Sequence, residues 1–179
     1  MQTQPDIHTG RLVLIAITPQ SILVEQAADG DYHPFSEQIG CTIHAEWPPI
    51  HWEPHVFDFF LKQYAEHPEQ IGLNRYVALP QPDGTRLLIG ALGAFGKDDP
   101  PHTCEIGYGV LPSFEGNGFA TEGTQAIIDL LRRDGTVHNV IAHTYPSLKQ
   151  SLRVMEKCGL TFDGQGEEEG TVRYRLQLR

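Results

Sequence analysis

The stretch Glu105-Ile-Gly-Tyr-Gly-Val-Leu-Pro-Ser-Phe-Glu-Gly-Asn-Gly-Phe-Ala-Thr-Glu122 concentrates the residue types from which a ligand site can be built. Its β-rich start gives way to a short glycine loop, Glu115-Gly116-Asn117-Gly118, that opens directly into a helical pattern. Gly116 and Gly118 allow a tight turn and leave backbone N–H groups unobstructed, while the helix start adds unpaired N–H groups and partial positive charge. Such a loop can hold a pyrophosphate. The spacing alone is weak evidence, because a Gly-x-Gly before a helix is often only a turn. A dinucleotide fingerprint fails for want of a third glycine at the required position, and a P-loop fails because no Gly-Lys-Ser or Gly-Lys-Thr occurs. Metal chemistry has one candidate pair, His51 and His55. Pro54 lies between them and no glutamate sits where a zinc-protease helix needs it, so no metal is expected.

The elements that must position this stretch follow from periodicity and punctuation. Arg11 to Ile17 reads as a first strand, and Pro19 opens a helix that runs to about Ala28 before Asp29-Gly30. Gly40 to His51 is irregular, with Trp47-Pro48-Pro49 holding an extended backbone. Pro54 starts a helix in which Phe57, Phe60, Leu61 and Tyr64 recur at helical spacing, ending at His67-Pro68. Strands follow at Arg75 to Leu79, Arg86 to Phe95 and Glu105 to Leu111, the first two joined by the turn Pro82-Asp83-Gly84. A helix covers about Gly118 to Arg133, a strand Val137 to Thr144, and a helix Ser147 to Cys158, closed by Gly159. Thr171 to Leu178 alternates as a last strand or hairpin arm after the glycine-rich run Asp163 to Gly170. The order predicts one mixed α/β layer domain over 1–179, with its chemistry around the fourth strand and the helix after it.

Thirteen Lys and Arg against 23 Asp and Glu give a formal net charge of -10. That balance argues against a nucleic-acid partner and suits cationic partners such as amines. No apolar run is long enough to span a bilayer, and the first ten residues lack the basic start and apolar stretch of a signal peptide. The three cysteines, Cys41, Cys104 and Cys158, are odd in number and widely spaced. They fit a reducing compartment, so a cytoplasmic location is expected.

Several stretches together resemble the GNAT acetyltransferase family, in particular its branch of ribosomal-protein alanine N-acetyltransferases. They are Thr9-Gly-Arg-Leu-Val-Leu14, Trp47-Pro48-Pro49, Glu105-Ile-Gly-Tyr, Leu111-Pro, Gly116-Asn-Gly-Phe-Ala-Thr-Glu122 and Ser151-Leu-Arg-Val-Met-Glu-Lys-Cys-Gly159. The resemblance implies a GNAT fold: a bent, mostly antiparallel sheet with helices on both faces, whose fourth and fifth strands splay apart around acetyl-CoA. It implies that Glu115, Gly116, Asn117, Gly118, Phe119 and Ala120 form the pyrophosphate loop. It also implies that backbone N–H groups near Gly109 and Val110 stabilise the acyl oxygen. Relatives occur as monomers and homodimers. Two departures stand out. Glu115 occupies a position where the family usually has Gln or Arg. Leu148 and Met155 replace the Asn and Tyr that many relatives carry before and within the last helix, where the Tyr protonates the leaving thiolate.

Acyl transfer to an amine needs a base for the ammonium, stabilisation of the developing oxyanion, and a route for the thiolate to leave. Glu105 is the candidate base, acting directly or through a water; its alternative is an outward carboxylate or an arginine's partner. Ser151 is a candidate donor to the thiolate, its alternative being a helix cap. Tyr145 is a second candidate, or else a packing aromatic. His143 reads as a proton relay or a hydrogen-bonded strand histidine, and Glu122 as a structural residue of the first helical turn. Trp47, Trp52 and Phe57 could wall an acceptor site, with Glu46 or Glu53 attracting a cation, or they could form an aromatic core under a loop. The acceptor stays open among a protein N-terminus, a small amine and an amino sugar. Two rival readings are a non-catalytic acyl-CoA-binding module, which the departures at Glu115, Leu148 and Met155 favour, and an unrelated α/β ligand-binding domain.

Overall fold

A computed structural model describes residues 4–50, 52–97 and 99–179. Among them, nine strands form one sheet. In chain order the elements are β1 (Ile7–His8), β2 (Val13–Ala16), α1 (Pro19–Gln26), α2 (His33–Ile39), β3 (Thr42–Ile43), α3 (Pro54–Glu66), β4 (Arg75–Pro80), β5 (Arg86–Lys97) and β6 (Thr103–Val110). They continue with α4 (Phe119–Asp134), β7 (Asn139–Thr144), α5 (Lys149–Lys157), β8 (Thr161–Gln165) and β9 (Val172–Gln177). The strand order is β1-β2-β4-β5-β6-β7-β9-β8, with β3 pairing parallel to β5. Along the main path only β6 and β7 run parallel; every other neighbour is antiparallel.

Alternation along the central strands fills two cores, because successive side chains point to opposite faces. Leu12, Leu14, Val77, Ile89 and Leu92 face α4 and α5, where Ile127, Ile128, Leu131 and Met155 meet them. Val13, Tyr76, Ala78, Leu88 and Ala91 face the other way, onto Ile22 of α1, Phe35 and Ile39 of α2, and Phe57, Phe60 and Tyr64 of α3. The expected helices on both faces are therefore present.

Two features went beyond the sequence reading. α2 lies where no element was expected, although Pro34 sits in its first turn and Gly40 closes it in the left-handed region. β1 and β3 are two residues each, too short for alternation to be visible. Of the two endings the sequence allowed, a strand or a hairpin, the chain takes the hairpin, β8 pairing with β9. No helix among the described residues is long and apolar enough to cross a membrane.

Candidate active site

β6 and β7 pair only at Thr103–Asn139, Cys104–Val140 and Glu105–Ile141. Beyond Glu105 they diverge, and the wedge between them opens into a cavity of about 420 Å³. Tyr108, Gly109 and Val110 line it from β6, and Glu115, Gly116, Gly118, Phe119 and Ala120 from the loop and helix start. From the far side come Leu148 and five residues of α5: Gln150, Ser151, Arg153, Val154 and Lys157. Of the expected loop residues, only Asn117 does not face the cavity. Its Nδ2 donates to the carbonyls of Phe114 and Glu115 and so braces the loop from within.

The loop leaves backbone donors unpaired at the start of α4. Gly116 and Gly118 adopt φ of 75° and 80°, which side-chain-bearing residues disfavour. No side chain caps α4, and the first helical bond is donated by Glu122 N–H to Gly118 O. The N–H groups of Phe119, Ala120 and Thr121 are therefore free to receive a phosphate at the positive end of the helix. Arg11 adds a cation that sequence reasoning missed. Its guanidinium lies 4.6 Å over the Phe119 ring and donates to Asn117 O at 3.0 Å. Arg153 and Lys157 add two more, four apart on one face of α5. These charges offset the acidic Glu115.

Glu122 is structural, by a route more specific than the helix dipole. Its carboxylate accepts from Thr9 Oγ1 at 2.6 Å, from Arg11 N at 2.7 Å and from Arg11 Nε at 2.7 Å. Partial burial pushes its pKa up, but the bonds from Thr9 and Arg11 outweigh it and hold the carboxyl below its usual range.

A second cavity, of about 300 Å³, opens on the opposite face of the sheet. It shares Pro49, Ile50, Tyr108 and Gly109 with the first, so the two meet where the sheet splits. Glu105, Gly107 and Gly109 lie on one face of β6, and Glu105 pairs across the ladder with Phe95, which lines the second cavity. Glu105 accepts from His143 Nδ1 at 2.9 Å and from Lys97 Nζ at 3.2 Å. Lys97 also reaches Glu167 of the β8–β9 loop at 2.7 Å. His143 Nε2 is buried without a hydrogen-bond partner among the described residues. The proton on His143 therefore belongs on Nδ1, pointing at Glu105, which leaves a bare nitrogen rather than an orphaned N–H buried.

The backbone of β6 is also polarised. Leu111 N donates to Ile89 O on β5, and N–H groups alternate between the two edges of a strand. Val110 N–H consequently points into the wedge, whereas Gly109 contributes an unobstructed Cα. Tyr108 was not anticipated: its hydroxyl donates to Ser151 O at 2.9 Å and lies 3.2 Å from Ser151 Oγ. Burial raises its pKa to about 12. Its signal was present in alternation, which sets Ile106, Tyr108 and Val110 on the face that carries α4 and α5. Met155 is buried in the core, and Tyr145 is exposed beyond β7 and lines neither cavity. Cys41, Cys104 and Cys158 are buried, line neither cavity and have thiols pushed up to about 11 by burial, so none is poised as an acyl relay.

The expected aromatic wall needs correction. Trp47 and Phe57 are core residues, and of the three only Trp52 lines the second cavity. Phe59, Phe60 and Phe95 complete the wall. Glu46 does not face it but accepts from Ser113 N and Oγ, and Glu53 is an exposed residue beside His55. His51 lies outside the described residues, and no metal-holding group of side chains occurs among those described. The carboxylate that organises this region is Glu25, deep in the core. Trp47 and Trp52 Nε1 donate to its Oε1 at 3.0 and 2.8 Å, and Tyr76 Oη to its Oε2 at 2.7 Å.

Burial raises the Glu25 pKa to about 7 against the pull of these three donors. Its folded pKa thus exceeds the unfolded value of 4.5, so the folded state binds the extra proton between pH 4.5 and 7. Stability falls as pH rises through that window, by up to about 3 kcal/mol, and levels off above it. Glu25→Gln should therefore gain a few degrees in Tm relative to wild type at pH 8 but not at pH 5. Parallel Tm profiles for the two proteins in calorimetry would contradict this account.

Comparisons with known proteins agree with this geometry. The acetyltransferase (GNAT) domain family matches residues 22–161. The uncharacterized N-acetyltransferase YnaD of Bacillus subtilis (strain 168) is 36% identical over 77 residues, which are 43% of this chain and 45% of that relative. The match thus spans less than half the length of that relative. Among solved structures, an acetyltransferase of the GNAT family from Bacillus anthracis aligns with TM-score 0.62 at 20% identity, over 97% of this chain and 99% of that one. The ribosomal-protein-S5-alanine acetyltransferase from Vibrio fischeri aligns with TM-score 0.64 at 16% identity, over 97% of each chain. A spermidine N-acetyltransferase from Vibrio cholerae gives 0.57 at 16%, over 92% and 94%. At these identities the solved structures establish likeness of fold.

Proposed function

The chain belongs to the GNAT acetyltransferase family, and we propose that it moves an acetyl group from acetyl-CoA directly onto a primary amine where its two cavities meet. The observation that carries this reading is that junction. The anion-binding loop lies along one cavity, the amine-sized second cavity opens on the other face, and Pro49, Ile50, Tyr108 and Gly109 belong to both. The residues present fit acetyl-CoA: free N–H groups at the start of α4 face its pyrophosphate, and Arg153 and Lys157 supply cations along the same cleft. Acetyl-CoA supplies the activated thioester.

Glu105 acts as the base. One step along its face of β6 is Gly107, roughly 7 Å on, so the carboxylate takes the ammonium proton through one water. His143 and Lys97 orient the Glu105 carboxylate. Val110 N–H polarises the acyl oxygen as charge develops on it. The thiolate leaves toward Ser151 Oγ, which Tyr108 holds, so a proton can pass from this pair to the sulfur. The rival reading, a non-catalytic acyl-CoA-binding module, rests on Glu115, on Leu148 and on Met155, which is buried. The Glu105 network and the Tyr108–Ser151 pair supply the groups whose absence it requires.

Release of free thiol from acetyl-CoA, measured against a panel of primary amines, tests the proposal. Coenzyme binding without turnover on any amine would favour the rival module. A thiol with a pKa of about 8.5 needs little help in leaving near neutral pH. Ser151→Ala should therefore slow single-turnover acetyl transfer only about tenfold, equivalent to about 1.4 kcal/mol. Complete loss with coenzyme affinity intact would make the serine essential. An unchanged rate would assign proton delivery to Tyr108, which lies in the cleft where Tyr145 does not.

A further inference from the structure

Among the described residues, no charged side chain lines the second cavity. Its wall is a continuous aromatic surface: Trp52 lies 5.7 Å from Phe60, Phe60 lies 5.8 Å from Phe59, and Phe59 lies 5.2 Å from Phe95, centroid to centroid. Among the described residues, Asn74 and Tyr108 are its only polar side chains other than the indole of Trp52, and no carboxylate lines it. The nearby acids are already committed. Glu25 is buried behind Trp52, accepting from its indole, and Glu105 is held by His143 and Lys97. A chain with a formal net charge of -10 has thus kept its acids out of this one cavity.

Resting on the acetyltransferase reading above, we propose that the acceptor is a primary amine carrying an uncharged aromatic or branched aliphatic group within one or two bonds of the nitrogen. The reacting nitrogen enters at the Gly107–Gly109 end, where the cavities join, and the rest of the molecule lies on the aromatic wall. An acceptor with a second ammonium would bury that charge with no counter-ion. An aromatic face attracts a cation, but less strongly than such burial penalises it. At about 300 Å³ the space is at the low end for a small-molecule site, which suits one ring or one branched chain. The side-chain carboxamide of Asn74 can read one uncharged polar group on the acceptor; its Nδ2 also reaches Tyr64 Oη at 3.3 Å.

The same chemistry could arrive as a free amine or as a peptide beginning with a large apolar residue, and the experiment separates the two. With the full chain and acetyl-CoA, kcat/KM is measured for 2-phenylethylamine, tryptamine and isoamylamine, for peptides beginning with Phe or Ala, and for spermidine and an aminoglycoside. The aromatic amines should exceed spermidine and the aminoglycoside by roughly thirtyfold or more. A Phe peptide that outperforms the free amines would name the peptide as the source. Spermidine, the aminoglycoside or the Ala peptide as best substrate would overturn the proposal while leaving acetyl transfer intact.

Phe59→Glu, at a half-exposed helix position that tolerates a charge, should shift the preference about tenfold from 2-phenylethylamine toward a diamine. An unmoved preference would take Phe59 and its wall out of acceptor recognition. If no amine is acetylated, titration of the coenzyme A-loaded protein decides the matter separately from catalysis. Saturable binding of 2-phenylethylamine with none of spermidine upholds the acceptor class, and binding of neither overturns it.

Discussion

Glu105→Gln should lower turnover by roughly 10²–10⁴-fold while leaving the affinity for acetyl-CoA nearly unchanged. Glutamine keeps the shape of the side chain and a carbonyl oxygen for His143 Nδ1, so the wedge between β6 and β7 persists. What disappears is the group that accepts the ammonium proton. Steady-state turnover, with coenzyme binding followed by calorimetry, checks both halves. Near-normal turnover would assign Glu105 to holding the sheet together and would leave the base to be found elsewhere.

The second large effect belongs to the pyrophosphate loop. Gly118→Val places a β-branched residue at φ 80°, a conformation such residues almost never adopt, directly before the free N–H groups of α4. The strain is relieved only by moving the helix start, which takes those donors off the phosphates. Coenzyme affinity should weaken at least about a hundredfold, or about 2.7 kcal/mol. Gly118 is exposed and a Cβ there comes no closer than 3.6 Å to any neighbour, so the fold should survive, as circular dichroism would report. Gly118→Ala, able to occupy the left-handed region at smaller cost, should fall between the two. Unchanged affinity in the valine mutant would remove the loop from coenzyme binding.

What the sequence made legible was local. The glycine loop, the strand before it and the helix after it are contiguous, and their patterns report directly on backbone geometry. The long strands and α3 and α4 are likewise visible, because many residues repeat one period. α2 escaped because it buries only Phe35 and Ile39, too few for a period to stand out. The site residues that escaped are those brought in from a distance. Arg11 reaches the loop from 106 residues away, and Glu25 meets Trp52 from 27. The acceptor wall was left undecided for a related reason. Trp47, Trp52 and Phe57 are close in sequence and of similar chemistry, and only tertiary packing buries Trp47 and Phe57 while leaving Trp52 on the cavity. Tyr108 was within reach of alternation, but its hydroxyl's partner on α5 was not.

The short pairing between β6 and β7 has a mechanical meaning. In backbone hydrogen bonding the sheet is two plates, β1 through β6 and β7 through β9, riveted by three residue pairs and by the Glu105 cluster at the edge of the rivets. A coenzyme arm in the wedge would lie between β6 and α5, whose residues line it, and so would bridge the first plate to the helix that connects the strands of the second. Loading would then brace the two plates against each other, and withdrawal of the thiol would return their slack.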